Sequence, residues 1–393
     1  MNAQEPRSGW GGSVLQLLAS STGGVGQHVA SVTRGLLARG VPVVVAGPAA
    51  TDEQFGFAAA GARFVPIEIP ASPTPADARA VGALRGALTA QPVTLVHAHG
   101  LRAGLVAVLA RPAVPVVVTL HNAVLAGGVR GRVSRLAERF VARSARVTLG
   151  ASADLVERAA QLGAADARLA PVAAPALPAP RRARAAVRAE FGIRSEQPLI
   201  LSVGRLHPQK RYELLVDAAA RWRERSPVPA VLVAGSGPSY LQLAARISAA
   251  RAPVTLLGHR TDVADLLAGA DLAVVTSDWE ARQLFAQEAL RAGVPLVATA
   301  VGGLPELVGD AAVLVPPGDA DALDAAVREL LDDPEGRAEL ARRGPEQAAG
   351  WPDESDTVAA LTALYAEIAP AAPAAPAPPG TPGGADQAGE DRA

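Results

Sequence analysis

Two cations stand close together in Leu201-Ser-Val-Gly-Arg-Leu-His-Pro-Gln-Lys210, directly after an apolar run. Lys210 is the only lysine among the 37 basic Lys and Arg residues of the chain. A compact, strongly hydrated ammonium kept where every other basic position is arginine marks a place that a planar guanidinium does not fill. Arg205 and Lys210 at the end of a strand suit a phosphate or a diphosphate. A second apolar run ends in Thr276-Ser-Asp-Trp-Glu280, and Glu288 follows at the spacing Glu280-x7-Glu288. Carboxylates accept hydrogen bonds from the neighbouring hydroxyls of a ribose or a hexose. Cations for a diphosphate beside carboxylates for diols describe a ligand that carries both.

Glycines recur where apolar runs give way to helical ones: Thr22-Gly23-Gly24-Val25-Gly26, Gly204, Gly235-Ser-Gly237-Pro238 and Gly302-Gly303. Such turns let backbone N–H groups approach an anion at a helix N-terminus. The first loop has Val29 where the dinucleotide fingerprint needs its third glycine, and the loop at Gly235 lacks that glycine too, which argues against a dehydrogenase. His97, His99 and His121 fall at predicted strand ends. No carboxylate or cysteine accompanies them, so they read as satisfied structural groups or as polar pocket lining, and no metal site is expected. The pair Asp319 and Asp321 reads as a helix cap.

The 393 residues are 49% apolar and 19% charged, with a net charge of −1, enough apolar material for two cores and no global case for nucleic acid. Without cysteine, disulfides and thiolate chemistry are excluded. No apolar run approaches a bilayer-spanning length, and residues 1–12 read as a flexible polar start without a signal pattern. The expected location is the cytoplasm.

These groups need a frame that brings strand ends together. The sequence alternates predicted strands (14–18, 41–46, 94–97, 116–120, 147–149) with predicted helices (27–39, 76–90, 102–110, 130–143, 153–162). A proline–alanine stretch, 171–180, interrupts the series. The alternation resumes with strands at 199–203, 230–234, 254–257, 272–276, 296–298 and 312–315. Between and after them come helices at 212–225, 240–250, 263–268, 284–292, 305–308 and 320–331. The reading is α/β, with two Rossmann-like domains facing across a cleft. The expected division is an acceptor-side domain over 13–172, a linker over 173–184, and a donor-side domain over 185–350. A C-terminal helix over 351–368 and a disordered tail over 369–393 complete it.

In this order and over about residues 12–350, the motifs resemble those of the family 4 retaining glycosyltransferases, which have the GT-B fold. The pieces are Gly23-Gly24, His97 and His99, Thr119-Leu-His121, Gly204-Arg205…Lys210, Gly235-Ser-Gly237-Pro238, Glu280-x7-Glu288 and Gly302-Gly303-x-Pro-Glu306. The resemblance implies a nucleotide-sugar donor, an acceptor of unknown kind, retention of anomeric configuration, and neither cofactor nor metal. It implies that Arg205 and Lys210 neutralise the donor diphosphate and Glu288 binds the ribose. It further implies that Glu280 and the backbone after it hold the sugar, that His121 contacts that sugar, and that Gly23, Gly24, His99, Gly204 and Gly237 line the site. Nucleotide-sugar 2-epimerases share the architecture, and a non-catalytic binding protein is a further alternative.

Two departures from the family pattern stand out. Ala281-Arg282-Gln283 replaces the usual glycine-containing loop, which sets Arg282 where the sugar is expected. Ala170-Pro-Val-Ala-Ala replaces the usual Asn-Gly before the linker. Separately, the stretch from Arg130 to Arg146 holds six arginines and one acid, Glu138. It reads as a solvated helix face or as a weak peripheral contact with the inner face of a membrane.

Overall fold

A computed structural model describes residues 10–21, 23–70, 77–125 and 127–369, the side chains of Val129 and Arg130 apart. The expectations for the first residues and for the tail beyond 369 fall outside this range.

The first domain is a seven-stranded parallel sheet. Its strands are β1 (Val14–Leu18), β2 (Val43–Gly47), β3 (Arg63–Pro66), β4 (Leu95–His99), β5 (Val116–Leu120), β6 (Val147–Gly150) and β7 (Ala167–Leu169), in the order β3-β2-β1-β4-β5-β6-β7. The second has six: β8 (Leu199–Val203), β9 (Ala230–Ala234), β10 (Val254–Gly258), β11 (Leu272–Val275), β12 (Leu296–Thr299) and β13 (Val313–Val315), in the order β10-β9-β8-β11-β12-β13. All registered pairs are parallel. The central strands are buried on both faces, which is why they read as mainly Val, Leu and Ala, with Gln16, His97, His99 and Thr119 as polar exceptions. The edge strands β3 and β7 went unread in the sequence. They are short, carry Arg63, Pro66 and Arg168, and are only partly covered.

Three helices also escaped the apolar periodicity, among them the short Ala49–Phe55. Pro334–Ala349 has almost no apolar stripe and contains Pro345. It starts on an Asp333 cap and lies close over Leu290, where a side chain on Gly344 would meet backbone. Arg184–Glu190 begins within residues read as linker and is fixed by charge: Arg184 and Arg188 both pair with Asp271. Asp319 does cap the helix Ala320–Asp332, accepting from the amides of Asp321 and Ala322.

The connection between the domains is anchored on the second domain at both ends. Gln287 accepts from the amide of Ala174 and donates to the carbonyl of Val172, while Arg291 donates to the carbonyl of Ala174. Further along, Asp265 receives the amides of Arg181 and Arg182. Prolines without amide donors fill the intervening backbone.

The C-terminal helix Glu354–Ile368 returns to the first domain and packs on the helix Gly24–Ala38. The two approach closely because position 35 is glycine; a Cβ there would lie 2.5 Å from Val358. Val358, Leu361, Leu364 and Tyr365 join Trp10, Val14, Leu36 and Val117 in one core on that face of the sheet. The Trp10 indole donates to the carbonyl of Ala369, which ties the end of this helix to the start of the domain. Tyr365 is wholly buried, so Tyr365→Ala should cost about 3–5 kcal/mol. Chemical denaturation would check this; a loss within error would show that the returning helix adds little to the core.

Candidate active site

In each sheet the strand order reverses direction once, between β1 and β4 and between β8 and β11. Loops diverge at such a reversal and leave a crevice at the carboxyl ends of the strands. Gly23 and Gly24 follow β1, and His99 ends β4. Gly204, Arg205 and Lys210 follow β8, and Glu280 follows β11. The two crevices face each other. A Cβ built on Gly23 would lie 3.7 Å from Nε of Arg205, and one on Gly24 would lie 3.4 Å from Leu284. The missing side chains keep the gap open between the domains.

In the second domain, two loops are laced together. The Thr276 hydroxyl donates to the carbonyl of Lys210, the amide of Asp278 to the carbonyl of Gln209, and the Gln209 side chain to the carbonyl of Trp279. Lys210 Nζ then meets Glu280 Oε1 at 2.5 Å, and the Ser277 hydroxyl donates to the same oxygen at 2.5 Å. Both partners are largely buried, with side-chain exposures of 17% and 10%. The ammonium and carboxylate are thereby fixed before any ligand arrives. The Arg205 side chain is exposed and makes no ion pair or hydrogen bond among the described residues, so its charge is free for an anion.

The glycines of the neighbouring loop are required by packing. A Cβ on Gly235 would lie 1.8 Å from the carbonyl oxygen of Gly204, and one on Gly237 would lie 2.4 Å from that of Leu206. Gly204 and Leu206 donate their amides to the carbonyls of Ala234 and Ser236. Two backbones in direct contact thus present Arg205. Gly302 is left-handed (φ 52°) and abuts the carbonyl of Glu280, which also accepts the amide of Gly303.

Glu288 lies on the helix Leu284–Arg291, half-buried, and its carboxylate has no partner among the described residues. Burial pushes its pKa up to about 7, against the opposing pull of Arg291. Before that helix the amides of Arg282, Gln283 and Leu284 find no acceptor among the described residues. They form a run of free donors beside Glu280.

Arg282 requires a correction. Its guanidinium does not occupy the expected sugar position; it lies over the ring of Trp351 at 5.6 Å, next to Arg291 at 5.7 Å on the same ring. Burial lowers its pKa, and Nε and Nη2 have no partner. The cation–π contact takes the place of a cavity-facing role. Ala281 is buried with Trp279 in the core of the first domain, and the Trp279 indole donates to Asp154 at 2.8 Å. The loop after β11 is therefore also the bridge between domains. Gln283 is buried at its end.

In the first domain, His97, His99 and His121 belong to one buried network. His121 Nε2 meets His99 Nδ1 at 3.2 Å, and His99 Nε2 meets Gln16 Oε1 at 2.6 Å. Gln16 donates to the Tyr365 hydroxyl, which meets His97 Nδ1 at 2.6 Å; His97 Nε2 meets Thr119 Oγ1 at 2.7 Å. The reading of the sequence missed three members. His28 lies one turn into the helix after the glycines, Gln16 is a polar residue in the middle of a buried strand, and Tyr365 is distant in sequence. Gln16 could have been flagged, since a buried amide needs partners. His28, His99 and His121 form the one group among the described residues spaced to chelate an ion. They are equally well explained by the hydrogen bonds and edge contacts they make.

The fold and this site define a two-domain nucleotide-crevice enzyme of the GT-B type, and the sequence comparisons carry the assignment further. A family model described as "Glycosyl transferase 4-like domain" matches residues 23–175, and "Glycosyl transferases group 1" matches 183–347. A D-inositol 3-phosphate glycosyltransferase of Mycobacteroides abscessus is 31% identical over 375 residues, covering 88% of this chain and 79% of the relative. The enzyme of the same name from Mycobacterium tuberculosis is 31% identical, covering 90% and 75%. Among solved structures, Anabaena HepE with UDP and glucose superposes with a TM-score of 0.76 at 20% identity, covering 91% of this chain and all of that one. WaaG, from lipopolysaccharide biosynthesis, gives 0.71 at 18% identity over 91% and all. The chain belongs to the family 4 glycosyltransferases and is a glycosyltransferase.

Burial holds the four imidazoles neutral: His28 is lowered to about 4, His97 to about 3, and His99 and His121 well below 6.5. A histidine with a depressed folded pKa contributes stability that is complete above about pH 6.5 and is lost as the pH falls through the folded value. Each can remove up to about 1.4 kcal/mol per pH unit over that range. Melting temperature should therefore drop between about pH 6.5 and pH 5. A flat profile would mean that these rings take up protons without unfolding.

Proposed function

We propose that the enzyme moves a hexose from a nucleoside-diphosphate sugar to a hydroxyl acceptor, with retention at the anomeric carbon and without a metal. The observation that carries the reading is the fixed Lys210–Glu280 pair beside an unpaired Arg205, opposite Gly23. Arg205 and Lys210 would stabilise the charge that grows on the departing diphosphate, the part a metal plays elsewhere. Glu288 would bind the ribose hydroxyls; Glu280 and the free amides before the helix would hold the sugar hydroxyls. His121, neutral and anchored by His99, would meet the sugar from the other domain. The acceptor oxygen would attack from the face on which the diphosphate leaves. Uridine is the first base to try, since HepE is described with UDP-glucose. The mycobacterial relatives, named for an inositol phosphate, make a phosphorylated polyol a reasonable first acceptor.

Calorimetric titration with UDP, GDP and ADP tests the donor assignment. One of them should bind; silence from all three at millimolar concentration would end it. Lys210→Ala should lower turnover by roughly 10²-fold or more while shifting the melting temperature little. A collapse of both would make Lys210 a folding residue. Excess EDTA should leave turnover unchanged. The raised pKa of Glu288 sets a pH dependence: its ionised fraction rises about tenfold between about pH 6 and pH 8. UDP binding should tighten by a similar factor over that interval, and Glu288→Gln should flatten the slope. A slope identical in the variant would assign the titration to another group.

A further inference from the structure

The helix Gly128–Ser144 carries an apolar stripe that faces away from its own domain. Val133 is 52% exposed, Leu136 68% and Phe140 44%, and Leu125 in the preceding loop is 52% exposed. The inner face of the same helix is already satisfied by Val141 and Ala142, both buried. A surface helix ordinarily has one apolar face, so a second one turned to solvent wants a partner.

Arginine lines that stripe. Arg132, Arg135 and Arg139 each stand one position before an apolar residue of the stripe, and Arg143 continues the row while donating to the carbonyl of Leu162; all four are exposed. Many other arginines are committed: Arg102, Arg158, Arg168, Arg182, Arg211 and Arg260, among others, each pair with a carboxylate. Arg132, Arg135, Arg139 and Arg143 make no ion pair among the described residues. The single acid of the segment, Glu138, is buried and turned inward to Arg158 at 2.5 Å. The outer face therefore presents apolar side chains and unneutralised cations together.

From this we infer that the outer face of Gly128–Ser144 docks on an anionic lipid surface. Leu125, Val133, Leu136 and Phe140 enter the headgroup boundary, and the arginines contact lipid phosphates. A second copy of the chain would press one arginine row against another, and a soluble polyanion would leave Leu136 and Phe140 uncovered. No helix among the described residues is long and apolar enough to cross a membrane, so contact would be peripheral. The loop between β5 and this helix begins with His121, so docking holds the mouth of the cleft at the surface. The inference stands apart from the donor reading, because its test involves no catalysis.

The test is flotation of the full chain with vesicles of phosphatidylglycerol in phosphatidylcholine, and with phosphatidylcholine alone. Binding should appear only with the anionic vesicles and should fall steeply as salt is raised. Replacing Arg132, Arg135 and Arg139 by Glu should weaken it roughly fivefold or more for each residue changed. Leu136→Glu with Phe140→Glu should abolish it while leaving the melting temperature unchanged, since both positions are exposed. The inference fails if no vesicle binds or if the apolar pair proves irrelevant. It also fails if the same substitutions instead dissolve a dimer seen by light scattering.

Discussion

An ammonium and a carboxylate meet in a corner that little water reaches, and the loops around them are arranged to keep them there. Such a pair contributes little net stability, because removing two charges from water offsets most of their attraction. Its value is positional. Lys210 and Glu280 sit on loops from two adjacent strands, and Thr276, Ser277 and Gln209 supply the hydrogen bonds that hold the loops in register. The same segment continues to Trp279, which reaches Asp154 in the other domain. The crevice of the second domain and the interdomain contact are therefore consequences of one loop conformation, and neither can be adjusted alone.

Much of this was legible beforehand, for reasons that can be named. Central parallel strands must be apolar on both faces, so β1, β4, β5, β8 and β11 stood out as runs. Once strands alternate with helices, chemistry collects at strand ends, and Arg205, Lys210, Glu280 and His121 were all found there. What stayed hidden depends on contacts far apart in sequence. Tyr365 lies on the last helix and yet completes the polar network of the first sheet. Arg282 was assigned by its distance along the chain from Glu280, whereas an aromatic face at Trp351 decides where it goes. The helix Pro334–Ala349 is held by close backbone packing at Gly344, which leaves no apolar periodicity to read.

Arginine usage gives the molecule a simple electrostatic grammar. Where a guanidinium serves the fold, it faces a carboxylate, as Arg182 does with Glu190, Asp262 and Asp265, or a backbone carbonyl, as Arg291 does with Ala174. Among the cations that make no ion pair, Arg205 stands in the crevice and Arg132, Arg135 and Arg139 line the outer row on Gly128–Ser144. With a net charge of only −1, neither could be found from bulk composition. The distribution of pairing carries the information that the total conceals.

The return of the last helix to the first sheet also bears on biosynthesis. As the chain leaves the ribosome, strands β1 to β7 are complete long before Trp10 and His97 can meet Tyr365 and Ala369. Until the whole second domain has emerged, one side of the first sheet lacks part of its cover and His97 lacks its Tyr365 partner. The nascent amino-terminal half must wait in an unfinished state, and a stalled or truncated product would display a greasy face for chaperones or proteases to recognise.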